Sequence, residues 1–122
     1  LQAPPALASE AWTPARVEAL RAEGRPVLVN FTAAWCATCK LNEWVFADDK
    51  VVDAFARTNT AYLKADWTNP NPDIAAVLAR LNRAGIPVYL YYPPGEAAPM
   101  VLPLDRFGPD LVIDTLQRGA SK

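Results

Sequence analysis

Two residues of this chain carry an obvious chemistry. Cys36 and Cys39 are its only cysteines, separated by two residues in Trp35-Cys36-Ala37-Thr38-Cys39-Lys40. A thiolate, not a thiol, attacks a disulfide, so the chemistry turns on what favours the anion. The apolar run Val27-Leu28-Val29-Asn30-Phe31 gives way to helical spacing at the pair, which puts Cys36 at a helix start. Free backbone N–H groups and the helix dipole favour negative charge there. Cys36, at the mouth of the turn, is expected to be the more exposed sulfur and the nucleophile. Cys39, one turn deeper, is then the resolving thiol, which displaces the partner and closes the Cys36–Cys39 bond. The competing reading is a structural bridge, but closing so short a loop restrains the unfolded chain little.

Cys39 must lose a proton to act, so a base nearby would help. Positions 36, 39, 40 and 43 neighbour one another on a helix, and side chains lean toward the helix N-terminus, so Glu43 points back at Cys39. Two roles stay open to it: proton acceptor, or ion-pair partner of Lys40 or Lys64 in solvent. As a charge, the carboxylate would raise the thiol pKa values by repulsion. Asn30 is odd inside an apolar strand, because a buried amide needs partners; Lys64 in the next strand is one candidate. Trp35 offers a contact surface beside Cys36, while Trp12, Trp44 and Trp67 read as core or boundary aromatics. Pro87 fits a plain strand start, and Ile-Pro after glycine does not by itself indicate a cis bond.

These residues need a frame. Residues 1–11 are Ala/Pro-rich without periodicity, which suits a linker or loosely docked arm, leaving 12–122 as one domain. Thr13-Pro14 opens a helix that Gly24 stops, with Val17 and Leu20 on its apolar face. Pro26 to Phe31 reads as a buried central strand. The helix after the cysteines carries Leu41, Trp44 and Val45 on its apolar side as far as about Phe46. Asp48 or Asp49 caps a further helical stretch through Val51, Val52 and Phe55. Ala61 to Asp66 alternates like a strand. Asn71 caps a helix through Ile74, Val77, Leu78 and Leu81, ended by Gly85. Strands follow at Val88–Tyr92 and Met100–Leu104, the latter placed at an edge by Pro103, and a last helix runs from about Pro109 to Arg118. Strands alternating with helices predict an α/β fold: a mixed sheet covered on both faces, with the final hairpin antiparallel.

The totals exclude several classes of function. The 122 residues suffice for one core, and 52% apolar with 20% charged residues is ordinary globular composition. A net charge of −1 without like-charge blocks gives no footprint for nucleic acid or anionic membranes. Without histidine, no Cys-His or Ser-His arrangement can form, and two cysteines fall short of a structural zinc site. No apolar run approaches the roughly 18 residues of a membrane span, and no signal-peptide pattern is visible. The chain begins at Leu1, so an excised domain or processed product is expected.

The segment Val-Asn-Phe-Thr-Ala-Ala-Trp-Cys-Ala-Thr-Cys-Lys resembles the active-site segment of the thioredoxin superfamily, and Gly85-Ile86-Pro87 is similar to its cis-proline loop. The Cys-x-x-Cys-Lys-x-x-Glu spacing, the Val-Phe with a later Asp, Ala65-Asp66-Trp67-Thr68 and Gly-Ile-Pro-Val-Tyr narrow the resemblance. They are similar to the C-terminal periplasmic domain of DsbD/ScsB-type transmembrane thiol:disulfide interchange proteins. The resemblance covers roughly Trp12 to Arg118. It implies a thioredoxin-like fold and a cis Ile86–Pro87 bond packed against the cysteines, with the Ile86 backbone pairing with an incoming chain. It also implies electrons arriving from a membrane-embedded thiol donor domain, on the same polypeptide, and leaving toward periplasmic disulfides. The domain would then be periplasmic, tethered to the bacterial inner membrane through Leu1 to Ser9, and monomeric. No cofactor or metal is called for, since both electrons ride on sulfur.

One position departs from the pattern. Where that family commonly has a buried Asp six residues before the first cysteine, this chain has Asn30. An amide cannot take up a proton, so any base role falls to Glu43 or water, and the lost charge should lower the cysteine pKa values. Two other functions fit the same motif: an independent thioredoxin-like reductase for a dedicated client, as in cytochrome c maturation, and a redox-inert binding domain.

Overall fold

Strand β2 (Val27–Thr32) is the axis of the molecule, and its sequence explains why. Val27, Leu28, Val29 and Phe31 are wholly buried, so the strand needs apolar residues on both faces and shows no polar alternation. The structure is a computed structural model that describes residues 7–95 and 97–120. Around β2 it places β1 (Glu10–Ala11), α1 (Pro14–Ala22), α2 (Ala37–Asn42), α3 (Asp49–Thr58) and β3 (Ala61–Asp66). Then follow α4 (Pro72–Arg80), β4 (Val88–Tyr92), β5 (Met100–Val101) and α5 (Pro109–Ala120), with single 3₁₀ turns at Val45–Ala47 and Leu104–Arg106. The sheet order is β1-β3-β2-β4-β5. β1 and β2 run parallel to β3, and β4 is antiparallel to both β2 and β5. This is the expected mixed sheet.

The period-two geometry of a strand divides the core. Val27, Val29 and Phe31 join Leu63, Leu90, Val17, Leu20, Ile74 and Leu78 on the face covered by α1 and α4. Leu28 joins Tyr62, Tyr89, Tyr91, Phe55, Val112 and Leu116 on the face covered by α3 and α5. Phe46, in the turn after α2, is fully buried among Phe55, Tyr62, Tyr89 and Phe107. Truncating such a ring to alanine typically costs about 3–5 kcal/mol, so this turn anchors the cysteine helix to the core.

Several local expectations need correcting. Glu10–Ala11 is a sheet strand, and the Leu7 N–H bonds the Phe46 carbonyl at 3.2 Å, so the arm is docked from Leu7 onward. The tether expected from Leu1 lies, for residues 1–6, outside the described residues. Leu41 and Trp44 are 71% and 59% exposed rather than core-facing. Leu41 lies within α2 on its solvent side, while α2 ends at Asn42 and the chain continues as a 3₁₀ turn, which breaks the helical register assumed for Trp44. Helix α4 stops at Leu81, with Asn82 rather than Gly85 taking the left-handed conformation. β5 ends at Val101, because Pro103 cannot donate to a ladder. Helix α5 continues past the expected end at Arg118, through Gly119 to Ala120. Asp48 is the cap of α3, its carboxylate accepting from the Lys50 and Val51 amides.

Candidate functional site

The site is the turn that joins β2 to α2. Beyond Thr32 the chain leaves the sheet, and the Cys36 N–H closes a turn onto the Ala33 carbonyl at 3.2 Å. Cys36 has extended dihedrals and caps α2, its Sγ accepting the Cys39 N–H at 3.2 Å. Cys36 and Cys39 are bonded to each other as a disulfide. Cys36 is 8% exposed and Cys39 2%, so both are buried and Cys36 is the less deeply buried of the two. Ile86 packs against Ala33 and both cysteines, and the Ile86–Pro87 peptide bond is cis. The structure therefore brings Cys36, Cys39 and Ile86 together, with Pro87 next to Ile86 in the chain.

Trp35 stands beside the disulfide, 61% exposed, with its ring 6.3 Å from that of Trp67. The two rings, with Pro70 and Pro72, flank an open, mainly apolar trough of about 480 Å³. Trp12 is core, packed on Phe31 at 5.8 Å, and Trp67 sits at the core boundary, while Trp44 is at the surface.

Beneath α2 lies a polar row. Asn30 stands in register with Lys64 on one side and Tyr89 on the other. From α2 above, Asn42 Nδ2 donates to Tyr89 Oη at 3.0 Å, and Lys64 Nζ donates to Glu43 Oε1, just past the helix, at 3.0 Å. Glu43 thus pairs with Lys64 in a half-buried setting, not with Lys40 in solvent, and its Oε2 is buried without a partner. Asn30 is 2% exposed, and its Nδ2 donates to Tyr62 Oη at 2.9 Å. Its partner is Tyr62 and not Lys64, whose ammonium is taken by Glu43. Asn30 Oδ1 is left buried and unpaired.

Burial holds the Tyr89 hydroxyl well above the usual phenol range, pushed up to about 12, against the Asn42 hydrogen bond that lowers it and with the Glu43 charge adding to the rise. Tyr62 is raised further, again mainly by burial, with its bond from Asn30 opposing and the Glu43 charge reinforcing. Both phenols are neutral hydrogen-bonding groups throughout the physiological range. Behind the turn, Lys40, Glu43, Lys64 and Asp66, together with Ala33 and Ala34, line a cleft of about 430 Å³. Among the described residues no group of three or more Cys, Asp or Glu side chains is placed to hold a metal. Among the same residues no helix is long and apolar enough to cross a membrane.

Sequence reasoning gave no role to Asn42 and Tyr62, nor to Tyr89, Asp66 and Thr68, which it quoted only as carrying the resemblance. The two tyrosines had a signal: each sits on a strand at the parity that faces the Asn30 side of the sheet. Thr68 had one too, because Asp-x-Thr directly after a strand is a side-chain-capped turn.

Residues 8–94 match the family described as thioredoxin-like. The thiol:disulfide interchange protein DsbD of Yersinia pestis (strain Pestoides F) is 38% identical over 73 residues, which are 59% of this chain and 12% of that protein. DsbD 1 of Pseudomonas aeruginosa is 38% identical over 89 residues, 68% of this chain and 15% of that protein. The chain thus spans a small fraction of the length of these curated relatives. Among solved structures, the C-terminal domain of Neisseria meningitidis DsbD in the oxidised form is similar with a TM-score of 0.64 at 21% identity, covering 92% of this chain and 99% of that one. A thioredoxin from Thermus thermophilus is similar with a TM-score of 0.69 at 16% identity, covering 92% of this chain and 86% of that one. At these identities the likeness is one of fold.

Proposed function

The chain belongs to the thioredoxin-like family, and from that membership we propose a protein-disulfide reductase domain that relays two electrons through Cys36 and Cys39. Kinship with the DsbD proteins and a disulfide-forming cysteine pair make it a thiol:disulfide oxidoreductase. The finer reading is that electrons arrive from a membrane-embedded dithiol donor and leave toward periplasmic disulfides. The observation that carries the two-electron exchange is the bonded pair with Ile86 packed against its cluster, and kinship with the DsbD proteins supports the direction.

The steps follow from exposure. A donor thiolate attacks Cys36 Sγ, the accessible end of the bond, and Cys39 leaves as a thiolate that takes up a proton. The donor's second thiol loses its proton and displaces Cys36, so the donor ends as a disulfide and this chain as a dithiol. Passing the electrons on, the Cys36 thiolate attacks a client disulfide and one client sulfur departs as thiol. Cys39 then gives up its proton and attacks Cys36 Sγ, which releases the second client thiol. Each passage moves two electrons and two protons.

Glu43 is the proposed proton acceptor for Cys39, with Lys64 as its counter-charge and the cleft of Lys40 and Asp66 as the way out to water. Trp35, Ile86 and Pro87 form the proposed contact surface for the client chain. Asn30 modulates the pair by being neutral where a charge would oppose thiolate formation.

Insulin reduction by the wild type and by Cys36→Ser tests the activity; equal turnover in both would favour a redox-inert binding domain. Equilibrating the pair with glutathione tests the direction, since about 30 mV equals roughly 1.4 kcal/mol for a two-electron couple. A potential at the reducing end supports a reductant, and one at the oxidising end overturns it.

A further inference from the structure

The segment that carries Trp35 and Cys36 is tied to the chain beyond β3 by bonds that neither the disulfide nor Glu43 explains. The β2–β3 ladder ends with Thr32 opposite Asp66. One step on, the Trp67 N–H bonds the Thr32 carbonyl at 2.7 Å. The next free donor on the cysteine side, the Ala34 N–H, has no strand to meet, and it bonds Thr68 Oγ1 at 2.8 Å. Asp66 Oδ1 accepts from both the Thr68 amide, at 2.9 Å, and the Thr68 hydroxyl, at 2.5 Å. With its proton committed to the carboxylate, the hydroxyl oxygen can only accept from Ala34. The rotor is fixed, and the bond has one polarity.

We propose that Thr68, oriented by Asp66, is a positioning residue for the nucleophile: a strut that holds the Ala33–Cys36 turn in place. Only Trp35 separates Ala34 from Cys36, whose Sγ lies 3.2 Å from the Cys39 N–H. A turn that rocks about an untied Ala34 would carry that sulfur away from the amide that favours its anion. The Trp35 and Trp67 rings ride on the two segments that the strut joins, so their tilted contact reports its state. The bonds lie at the surface, where a lost hydrogen bond costs the fold little; the effect falls on geometry. This inference rests on the reading of Cys36 as the attacking sulfur.

The test uses the whole reduced chain as Thr68→Val, which keeps the branched shape and loses the hydroxyl, and as Thr68→Ser, which restores it. The readouts are the rate of Cys36 alkylation by iodoacetamide against pH and the near-ultraviolet dichroism of the tryptophans. Lys40, Glu43, Lys64 and Asp66 are unchanged in both variants, so a displaced profile reports where Cys36 sits and not which charges surround it. Thr68→Val is expected to react about fivefold more slowly near neutral pH, the rate equivalent of one ordinary hydrogen bond, with its profile moved to higher pH and the tryptophan signal changed. Thr68→Ser is expected to match the wild type. A Thr68→Val profile superimposed on wild type overturns the strut, as does an equal loss in both variants. Should Thr68→Val fail to fold, Asp66→Glu keeps the charge and displaces the carboxylate; roughly twofold slower alkylation supports the strut and an unchanged rate overturns it. Failure of the reductase reading looks different: Cys36→Ser would then reduce insulin as well as the wild type does, whatever the Thr68 variants show.

Discussion

Lys64 Nζ stands 3.0 Å from Glu43 Oε1, and the two side chains are only 28% and 23% exposed. The pair bridges strand β3 to the end of the cysteine helix, at the level where Asn30 lies buried between Lys64 and Tyr89. A charge of either sign in so shielded a place is felt by its neighbours more strongly than at an open surface.

Removing one member at a time should therefore move the cysteines in opposite directions. Glu43→Gln deletes a negative charge, so the pH midpoint of Cys36 alkylation is expected to fall by up to about one unit. Lys64→Met leaves that negative charge uncompensated, so the midpoint is expected to rise. Glu43→Gln should also slow release of a mixed disulfide by Cys39, which has lost its acceptor. Superimposable alkylation curves for wild type and Glu43→Gln would remove Glu43 from the mechanism.

Asn30 gives a second test of the same field. Its side chain is buried and hydrogen-bonded to Tyr62 Oη, with Oδ1 unpaired. Asn30→Asp is nearly isosteric and adds a buried negative charge below α2. The Cys36 alkylation midpoint is expected to rise, on the order of one pH unit. An unchanged or lower midpoint would count against the charge at position 30 reaching the pair.

Gly119 tests the packing on the far side of the sheet. It lies inside α5, where alanine normally stabilises by about 1 kcal/mol over glycine. Here an added methyl would land on the Tyr91 hydroxyl, which is itself buried without a partner. Gly119→Ala is expected to destabilise by about 1–3 kcal/mol in urea unfolding. In a Tyr91→Phe background part of that loss should disappear, since the ring carbons remain close, and an additive double mutant would rule out the hydroxyl contact.

The buried phenols set an alkaline limit on stability. Tyr89 titrates at about 12 in the folded chain, and Tyr62 is raised further, against an unfolded value near 10. Above pH 10 the unfolded chain loses protons that the folded chain keeps, so each such group destabilises as pH rises, by up to about 1.4 kcal/mol per unit. Stability from these groups is complete below pH 10 and is lost through 12 for Tyr89. Unfolding free energies between pH 8 and 11 should decline less steeply in Tyr89→Phe than in wild type; parallel slopes would contradict the assignment.

Much of the site was legible beforehand, for reasons that can be named. Cys36 and Cys39 announce themselves by type and spacing, and the order of their exposure follows from a helix starting at the first of them. Asn30 announced itself as an amide in an apolar run. Glu43 was placed near the right helix turn, but its choice of Lys64 over Lys40 was not readable. That choice depends on which strand passes under the helix, and the β2–β3 register alone brings Lys64 there. Trp44 was misread because helical spacing was extended past Asn42, where the backbone tightens, and Leu41 because α2 turns that side to solvent.

By itself, then, the sequence determined the elements and the reactive pair. Caps, prolines, strand runs and a two-cysteine spacing act within a few residues of chain, and local sterics and hydrogen bonding decide them. Only the tertiary structure decided which groups surround the pair: Tyr62 as the partner of Asn30, Lys64 as that of Glu43, and Thr68 as the tie to Ala34. Each of those contacts spans more than twenty residues of chain. Strand register fixes them, and register is set by burial of both faces of β2 at once, which no local pattern encodes.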